Sequence, residues 1–315
     1  MIIDVMNNNN IFLSWRENGQ KKIDIKSFRP YFYIEDSHKE IASYNVSKYL
    51  KRDFEYESGE WFSLEGTKLK KVYVDEYKDM KRARERFSQT WEADVPYHRR
   101  YAVDNLTELP EYNMRKWYWD MEWQQGGEHD GCITTIVVYD NYDEKFTQWV
   151  WFPNQLELVD APIDRDEKQI GRRWIFGDEK KMIESFIYRM VAADPDMLIA
   201  WFGLKFDLPK LLERCCALGI NPLIMSPVKR IQGISSTKDG FSFRNKDGFS
   251  PISQPIGGRL CLNLDLAFER QWNDSQRGTL PSLSLNYISE TILGKNKLES
   301  EKFPDPNEFY RRAWL

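Results

Sequence analysis

The chain is 315 residues long, 41% hydrophobic and 30% charged, with a formal net charge of −4. These values describe an ordinary soluble globular chain of about two domains; they exclude a uniformly basic nucleic-acid binder, though not a local basic groove. Three His and four Cys without a C-x-x-C pair exclude the common zinc frameworks, and the lack of a leader-like start or a membrane-length apolar run predicts an intracellular, reducing environment.

From Met1 to about Asn105 the pattern is rich in short strand candidates. MIIDV, IFLSW and RPYFYIED alternate with turn residues such as Asn7–Asn10 and Asn18-Gly19. Residues 37–52 space Ile41, Tyr44, Val46 and Leu50 for one helical face, and VYVDEYKDMKRARERF passes from strand to charged helix. The polar, proline-bearing LTELPEY is the expected boundary, giving an N-terminal domain over 1–112 and a second domain over 113–315.

The second domain opens with the aromatic strand of RKWYWDMEW, turns through QQGGEHDG into CITTIVVYD, and adds FTQWVWF. An amphipathic helix follows, with Met182, Ile183, Phe186, Ile187, Met190 and Val191 on one stripe, ended by Asp194-Pro195. MLIAW returns as a buried strand and DLPKLLERCCALGI opens a helix. Residues 228–258 carry Lys-Asp-Gly twice and read as a hairpin excursion. RLCLNLDLAF reads as a further strand and PSLSLNYISETILG as a helix. This order predicts a mixed sheet with helices around it, an α/β or α+β fold.

The chemistry concentrates where the aromatic strand ends. Side chains i and i+2 of a strand share a face, so Asp120 and Glu122 project together. Two like charges side by side on a core strand are costly unless something positive neutralises them. Asp207 stands between the strand MLIAW and the next helix, so neighbouring strands would bring three carboxylates to one end of a sheet. Mg²⁺ or Mn²⁺ prefers such oxygen ligands, and two ions about 3.5–4 Å apart can activate water and clamp the leaving oxygen of a phosphodiester. Asp207 has a second explanation, because Asp before a helix with Pro209 in its first turn also suits an N-cap.

WYWDMEW resembles the first exonuclease motif of family B DNA polymerases, a strand carrying Asp-x-Glu. LIAWFGLKFDLPKLLERC resembles the second, in which a strand, a short loop and Phe-Asp-x-Pro open a helix. The stretches around them continue the resemblance in order over nearly the whole chain, from RPYFYIED and ADVPYHRRYAVDN to PSLSLNYISETILGKNK. The resemblance implies an N-terminal domain followed by an RNase H-like 3′–5′ proofreading exonuclease domain of the DEDD type. It implies that Asp120, Glu122 and Asp207 are catalytic metal ligands for two Mg²⁺ or Mn²⁺ ions. Phe206 is expected to pack beneath the site, and Trp201, Phe202, Phe206 and Lys210 to contact DNA, the single-stranded 3′ end of a primer. The hairpin excursion is expected to help part primer from template, and Asp265 is expected to be structural.

Three departures accompany the resemblance. Phe202 stands where the family usually has Asn, Lys210 stands where it commonly has an aromatic, and its third motif, Tyr-x-x-x-Asp on a helix, is absent. The apolar stripe of Phe309, Tyr310, Ala313 and Trp314 near FYRRAWL is expected to meet a polymerase-bearing partner polypeptide or downstream sequence, with processivity and replication factors as further partners. A DNA-binding or scaffolding subunit that has lost the chemistry is the alternative. A free-standing nuclease would need a closing Asp of its own.

Overall fold

In the computed structural model, residues 1–6, 9–37, 54–153, 159–165, 168–245, 247–250, 253–275 and 278–295 are described. The chain divides into two compact units, Met1–Tyr112 and Asn113–Leu315.

The first unit carries two three-stranded antiparallel sheets. Strands β1 (Ile2–Val5), β2 (Asn10–Glu17) and β3 (Gln20–Ser27) follow one another in the first sheet. Glu17 pairs with Gln20 across Asn18-Gly19, whose φ angles of 51° and 78° suit a two-residue hairpin turn with both central residues left-handed. Strands β4 (Tyr31–Glu35), β5 (Glu55–Phe62) and β6 (Lys68–Tyr73) form the second sheet in the order β4-β6-β5. Helices α1 (Met80–Arg84) and α2 (Tyr97–Asn105) follow. Tyr97 and Tyr101, four residues apart on α2, share a core with Ile11 and Leu13. The helix expected over residues 37–52 falls, apart from Ser37, outside the described residues, and β5 was not foreseen because most of its side chains are exposed.

The second unit is built on a seven-stranded mixed sheet. Its first five strands are β7 (Lys116–Trp123), β8 (Ile133–Asp140), β9 (Lys145–Trp151), β10 (Val159–Arg165) and β11 (Lys168–Phe176). Helix α3 (Glu179–Ala193), strand β12 (Met197–Ala200) and helix α4 (Asp207–Ala217) come next. A hairpin of β13 (Ile234–Thr237) and β14 (Gly240–Phe243) precedes β15 (Leu260–Asn263), α5 (Leu264–Asp274) and α6 (Leu285–Leu293). The sheet order is β10-β11-β9-β8-β7-β12-β15. Strands β7, β8 and β9 are an antiparallel meander, while β12 lies parallel to both β7 and β15. The unit is thus of the mixed α/β, α+β class.

Helix α3 starts where the Asp178 side chain accepts from the Lys181 amide at 3.2 Å. It ends at Asp194, which takes a left-handed φ of 45°. Met182, Ile183, Phe186, Ile187 and Met190 are buried in one core with Trp117, Trp119 and Trp149, whereas Val191, expected on the same stripe, is 46% exposed; such burial is worth roughly 1.5–3 kcal/mol per large side chain. Glu179, on the first turn, accepts from the Ile133 amide at 2.8 Å and from Arg214 Nε at 2.9 Å, which ties α3 to β8 and α4. At the start of β7, Arg115 grips the buried Asp140 through Nε and Nη2 at 2.9 and 2.7 Å.

Two expectations need correction. RLCLNLDLAF is a strand only through Asn263; at Leu264 the chain turns into α5, because LDLAFERQW places Phe268 and Trp272 four residues apart on a helical face. Only the first Lys-Asp-Gly makes a hairpin among the described residues, with Lys238 and Asp239 at the turn between paired Thr237 and Gly240.

Candidate functional site

Strand β7 alternates strictly through its middle. Trp117, Trp119 and Met121 are buried, whereas Tyr118 and Asp120 are exposed and Glu122 is half-buried. Asp120 and Glu122 therefore share the face away from the α3 core, facing Val137 and Thr135 of β8 in the pairing register. The pair shares one face of an interior strand: the aromatics take the core side, and the carboxylates take the other side of the pleat. Thr135, across from Glu122, is 7% exposed, and its hydroxyl has no hydrogen-bond partner among the described residues.

Strand β12 runs parallel to β7, with Leu198 beside Trp117 and Ile199 beside Tyr118. Its C-terminal end thus lies at the end of the sheet where β7 carries Asp120 and Glu122. From Ala200 the chain passes through Trp201–Phe206 and enters α4 at Asp207. The turn is tight: the Leu208 amide donates to the Gly203 carbonyl at 2.8 Å, and the Lys205 and Phe206 amides donate to the Phe202 carbonyl at 2.9 and 3.0 Å. The Leu204 amide donates to Asn263 Oδ1 at 2.8 Å, anchoring the loop to β15. A Cβ at Gly203 would meet the Ala200 Cβ at 2.4 Å and lie 3.7 Å from Asp207 Oδ2, so only glycine lets the loop lie this close to the strand end.

Asp207 is the first residue of α4 and is 5% exposed. The N-cap position belongs to Phe206, which makes no side-chain capping bond, so the capping explanation for Asp207 does not hold. A carboxylate buried at a helix start is still favoured by the amide-rich end of the helix. Asp265, in the first turn of α5, is also buried; burial raises its pKa, and its Oδ1 has no partner among the described residues.

The remaining expected residues surround this sheet end. Phe206 is 47% exposed rather than packed beneath the site, because the start of α4 turns it outward, edge-on to Phe202 at 6.1 Å. Trp201 contacts Phe202 at 6.3 Å and Phe268 at 6.2 Å, and Phe268 meets Trp272 at 5.9 Å. The indole N–H of Trp201 donates to the Leu283 carbonyl at 2.9 Å, which fixes this ring. Phe268 and Trp272 were missed in the sequence because their segment looked like a strand; their i, i+4 spacing was the available signal. The Lys210 ammonium lies 3.0 Å from where a Cβ at Gly131 would sit, on the loop leaving the carboxylate strand. It reaches Glu213 at 3.4 Å, an exposed pair of little energetic weight.

Phe202 has a φ of 57°. The left-handed region is uncommon for a bulky residue, whereas Asn and Gly enter it readily. The backbone at this position thus has a conformation that suits Asn or Gly, and it carries an aromatic ring instead.

Among the described residues, no three His, Cys, Asp or Glu side chains come close enough together to hold a metal ion. Asp120, Glu122 and Asp207 share one end of the sheet, but they do not form a closed ligand set by themselves. No helix among the described residues is long and apolar enough to cross a membrane.

No family model matches the chain. It is similar to the DNA polymerase of Pyrococcus glycovorans, 24% identical over 310 residues that cover 90% of this chain and 34% of that protein. The DNA polymerase of Pyrococcus horikoshii is 24% identical over 301 residues, 90% of this chain and 22% of that protein. The DNA polymerase of Thermococcus sp. strain 9oN-7 is 24% identical over 306 residues, 90% of this chain and 34% of that protein. The chain thus spans about a third or less of the length of these relatives. Shared sequence over nine-tenths of its length supports a relationship of this chain to DNA polymerases.

Proposed function

We propose that this chain is the N-terminal and proofreading part of a family B, replicative DNA polymerase, with an RNase H-like 3′–5′ exonuclease site at the C-terminal ends of β7 and β12. The observation that carries the reading is the placement of Asp120 and Glu122 on one face of β7, with Asp207 buried where the loop after the parallel strand β12 enters α4. The relatives named DNA polymerase support it.

Asp120, Glu122 and Asp207 would hold two Mg²⁺ or Mn²⁺ ions, with further ligands from outside the described residues. Ions bound there would supply an activated water and stabilise charge at the scissile phosphate. The substrate is the single-stranded 3′ end of DNA. Trp201, Phe202 and exposed Phe206 offer π faces on which terminal bases can stack without regard to sequence. Lys210 contributes positive charge for the DNA backbone beside the loop after β7. The polymerising domains, in a partner polypeptide or in downstream sequence, and processivity factors are the proposed partners at an intracellular site of replication.

The test is degradation of 5′-labelled single-stranded DNA with Mg²⁺ or Mn²⁺, by the chain alone and with the polymerase-bearing part added. Asp120→Ala/Glu122→Ala should abolish one-at-a-time removal of 3′ nucleotides and leave the fold intact. Undiminished activity in that double variant refutes the site. A second reading, a scaffolding subunit without chemistry, is favoured by the absence of a closed metal-ligand group among the described residues. It requires that neither preparation degrade DNA and that divalent metal not bind at the carboxylates.

A further inference from the structure

Another cleft opens on the α3 side of the sheet in the second unit, lined by Asp143, Lys145, Thr147, Arg172, Trp174 and Arg189, with a volume of about 620 Å³. That size lies within the ordinary range of about 300–1,000 Å³ for ligand sites. Thr147 pairs with Arg172 and Trp149 with Trp174 across β9 and β11. Lys145, Thr147 and Trp149 alternate onto the same face of β9, as do Arg172 and Trp174 on β11. Trp149 packs edge-on to Phe186 of α3 at 5.4 Å, which identifies this face as the one beneath the helix. Trp174 sits half-buried against Trp149 at 5.3 Å, a fixed indole in the cleft.

Among the described residues, the cleft is lined by three cations, Lys145, Arg172 and Arg189, and one carboxylate, Asp143. Asp143 is already engaged by Arg189 at 2.6 Å and by Arg115 at 3.1 Å. Lys145 is exposed and has no ion-pair partner among the described residues. Trp174 supplies the aromatic face and the Thr147 hydroxyl a hydrogen-bonding group, whereas Phe146, between Lys145 and Thr147, turns its ring to the other face of β9, against Tyr139 at 5.0 Å. Positive charge for phosphates beside an aromatic face for a base is the combination that grips single-stranded nucleic acid without reading its sequence. In a chain whose formal net charge is −4, this concentration of cations is local, not a consequence of overall composition.

We infer that the cleft between α3 and the β9–β11 edge is a second binding site for single-stranded DNA, separate from the carboxylate end of the sheet. It does not rest on the exonuclease reading. Its residues lie on β9, β11 and α3, whereas the carboxylates lie on β7 and α4.

The experiment measures binding of the full chain to a fluorescein-labelled oligothymidylate in EDTA, where no metal-dependent hydrolysis occurs, over a series of salt concentrations. Lys145→Ala/Arg172→Ala should weaken binding roughly tenfold and shallow the slope of log K against log salt by about 1.4, two single-strand contacts at about 0.7 each. Phe146→Ala, which removes a ring on the opposite face of β9, should leave binding unchanged. Far-ultraviolet circular dichroism and the melting temperature should match the parent, since Lys145, Phe146 and Arg172 are exposed. Unchanged affinity and salt slope in the double variant would overturn the inference. Displacement of the oligonucleotide by thymidine monophosphate at equal concentration would also overturn it, because the occupant would then be a free nucleotide.

Discussion

Replacing Phe202 by Gly and by Ala tests whether its backbone is strained as the fold requires. Both substitutions remove the same ring, with its contacts to Trp201 at 6.3 Å and Phe206 at 6.1 Å, so those losses cancel in the comparison. At an ordinary loop position Ala is the more stable, by ~0.4–1 kcal/mol, because Gly leaves the unfolded chain more freedom. At a φ of 57° the Cβ of Ala meets the left-handed penalty of ~1–2 kcal/mol, which Gly avoids. The larger effect wins, so Phe202→Gly should be the more stable of the two by ~1 kcal/mol. For a unit spanning Asn113–Leu315 this corresponds to a melting temperature higher by about 2–4 °C. Urea denaturation followed by tryptophan fluorescence, with equal m-values required, measures the difference. An Ala variant equal to or more stable than the Gly variant would show that the turn before α4 is not left-handed at this residue, and that the strain argument is wrong.

Phe202→Asn should keep the turn but weaken binding of single-stranded 3′ ends, measured by anisotropy, because the ring it removes is a stacking face; stronger binding would show that the ring hinders the site. Asp140 is buried, which disfavours its charge, yet hydrogen bonds from Arg115, the Tyr142 amide and Trp117 hold its pKa below the usual value. Its stabilisation is therefore present above the unfolded pKa of about 3.9 and is lost as pH falls through the lower folded value. Asp140→Asn should flatten that acid-side loss and cost about 3 kcal/mol near neutral pH, read from urea midpoints. Asp265→Asn should stabilise near pH 7, because burial raises the Asp265 pKa and the charged form is penalised there; the gain should vanish below about pH 4, where the side chain is protonated in both states. Burial pushes the Cys261 thiol up to about 12 and raises Cys215 as well; iodoacetamide at pH 8 should label neither in the native protein, and mass spectrometry of the alkylated chain checks this.

Much of the fold was legible because local physics points one way there. Asn18-Gly19 dictates its hairpin through the left-handed preference of both residues, and the stripe from Met182 to Met190 allows α3 only one buried face. The meander of β7, β8 and β9 follows from apolar runs parted by turn residues, and Asp120 with Glu122 must share a face because a strand has period two. Other features depended on neighbours far along the chain. RLCLNLDLAF could continue as a strand or turn into a helix; pairing with β12 uses only Leu260–Asn263, and the next residues pack Phe268 and Trp272 from α5. The cap position of α4 was equally open locally, and the loop held to Asn263 and closed over Gly203 gives it to Phe206, leaving Asp207 inside the first turn. The cleft over Trp174 was not legible at all, since Lys145, Arg172 and Arg189 meet only when β11 pairs in parallel with β9 and α3 folds back across both. Periodicity and turn chemistry act within a few residues, so the sequence by itself determined the strongly periodic elements and the shared face of Asp120 and Glu122, but not β5, β10, β11 or α5. Which strand ends, loops and cations stand together is set by non-local pairing and burial, and only the tertiary structure decided it.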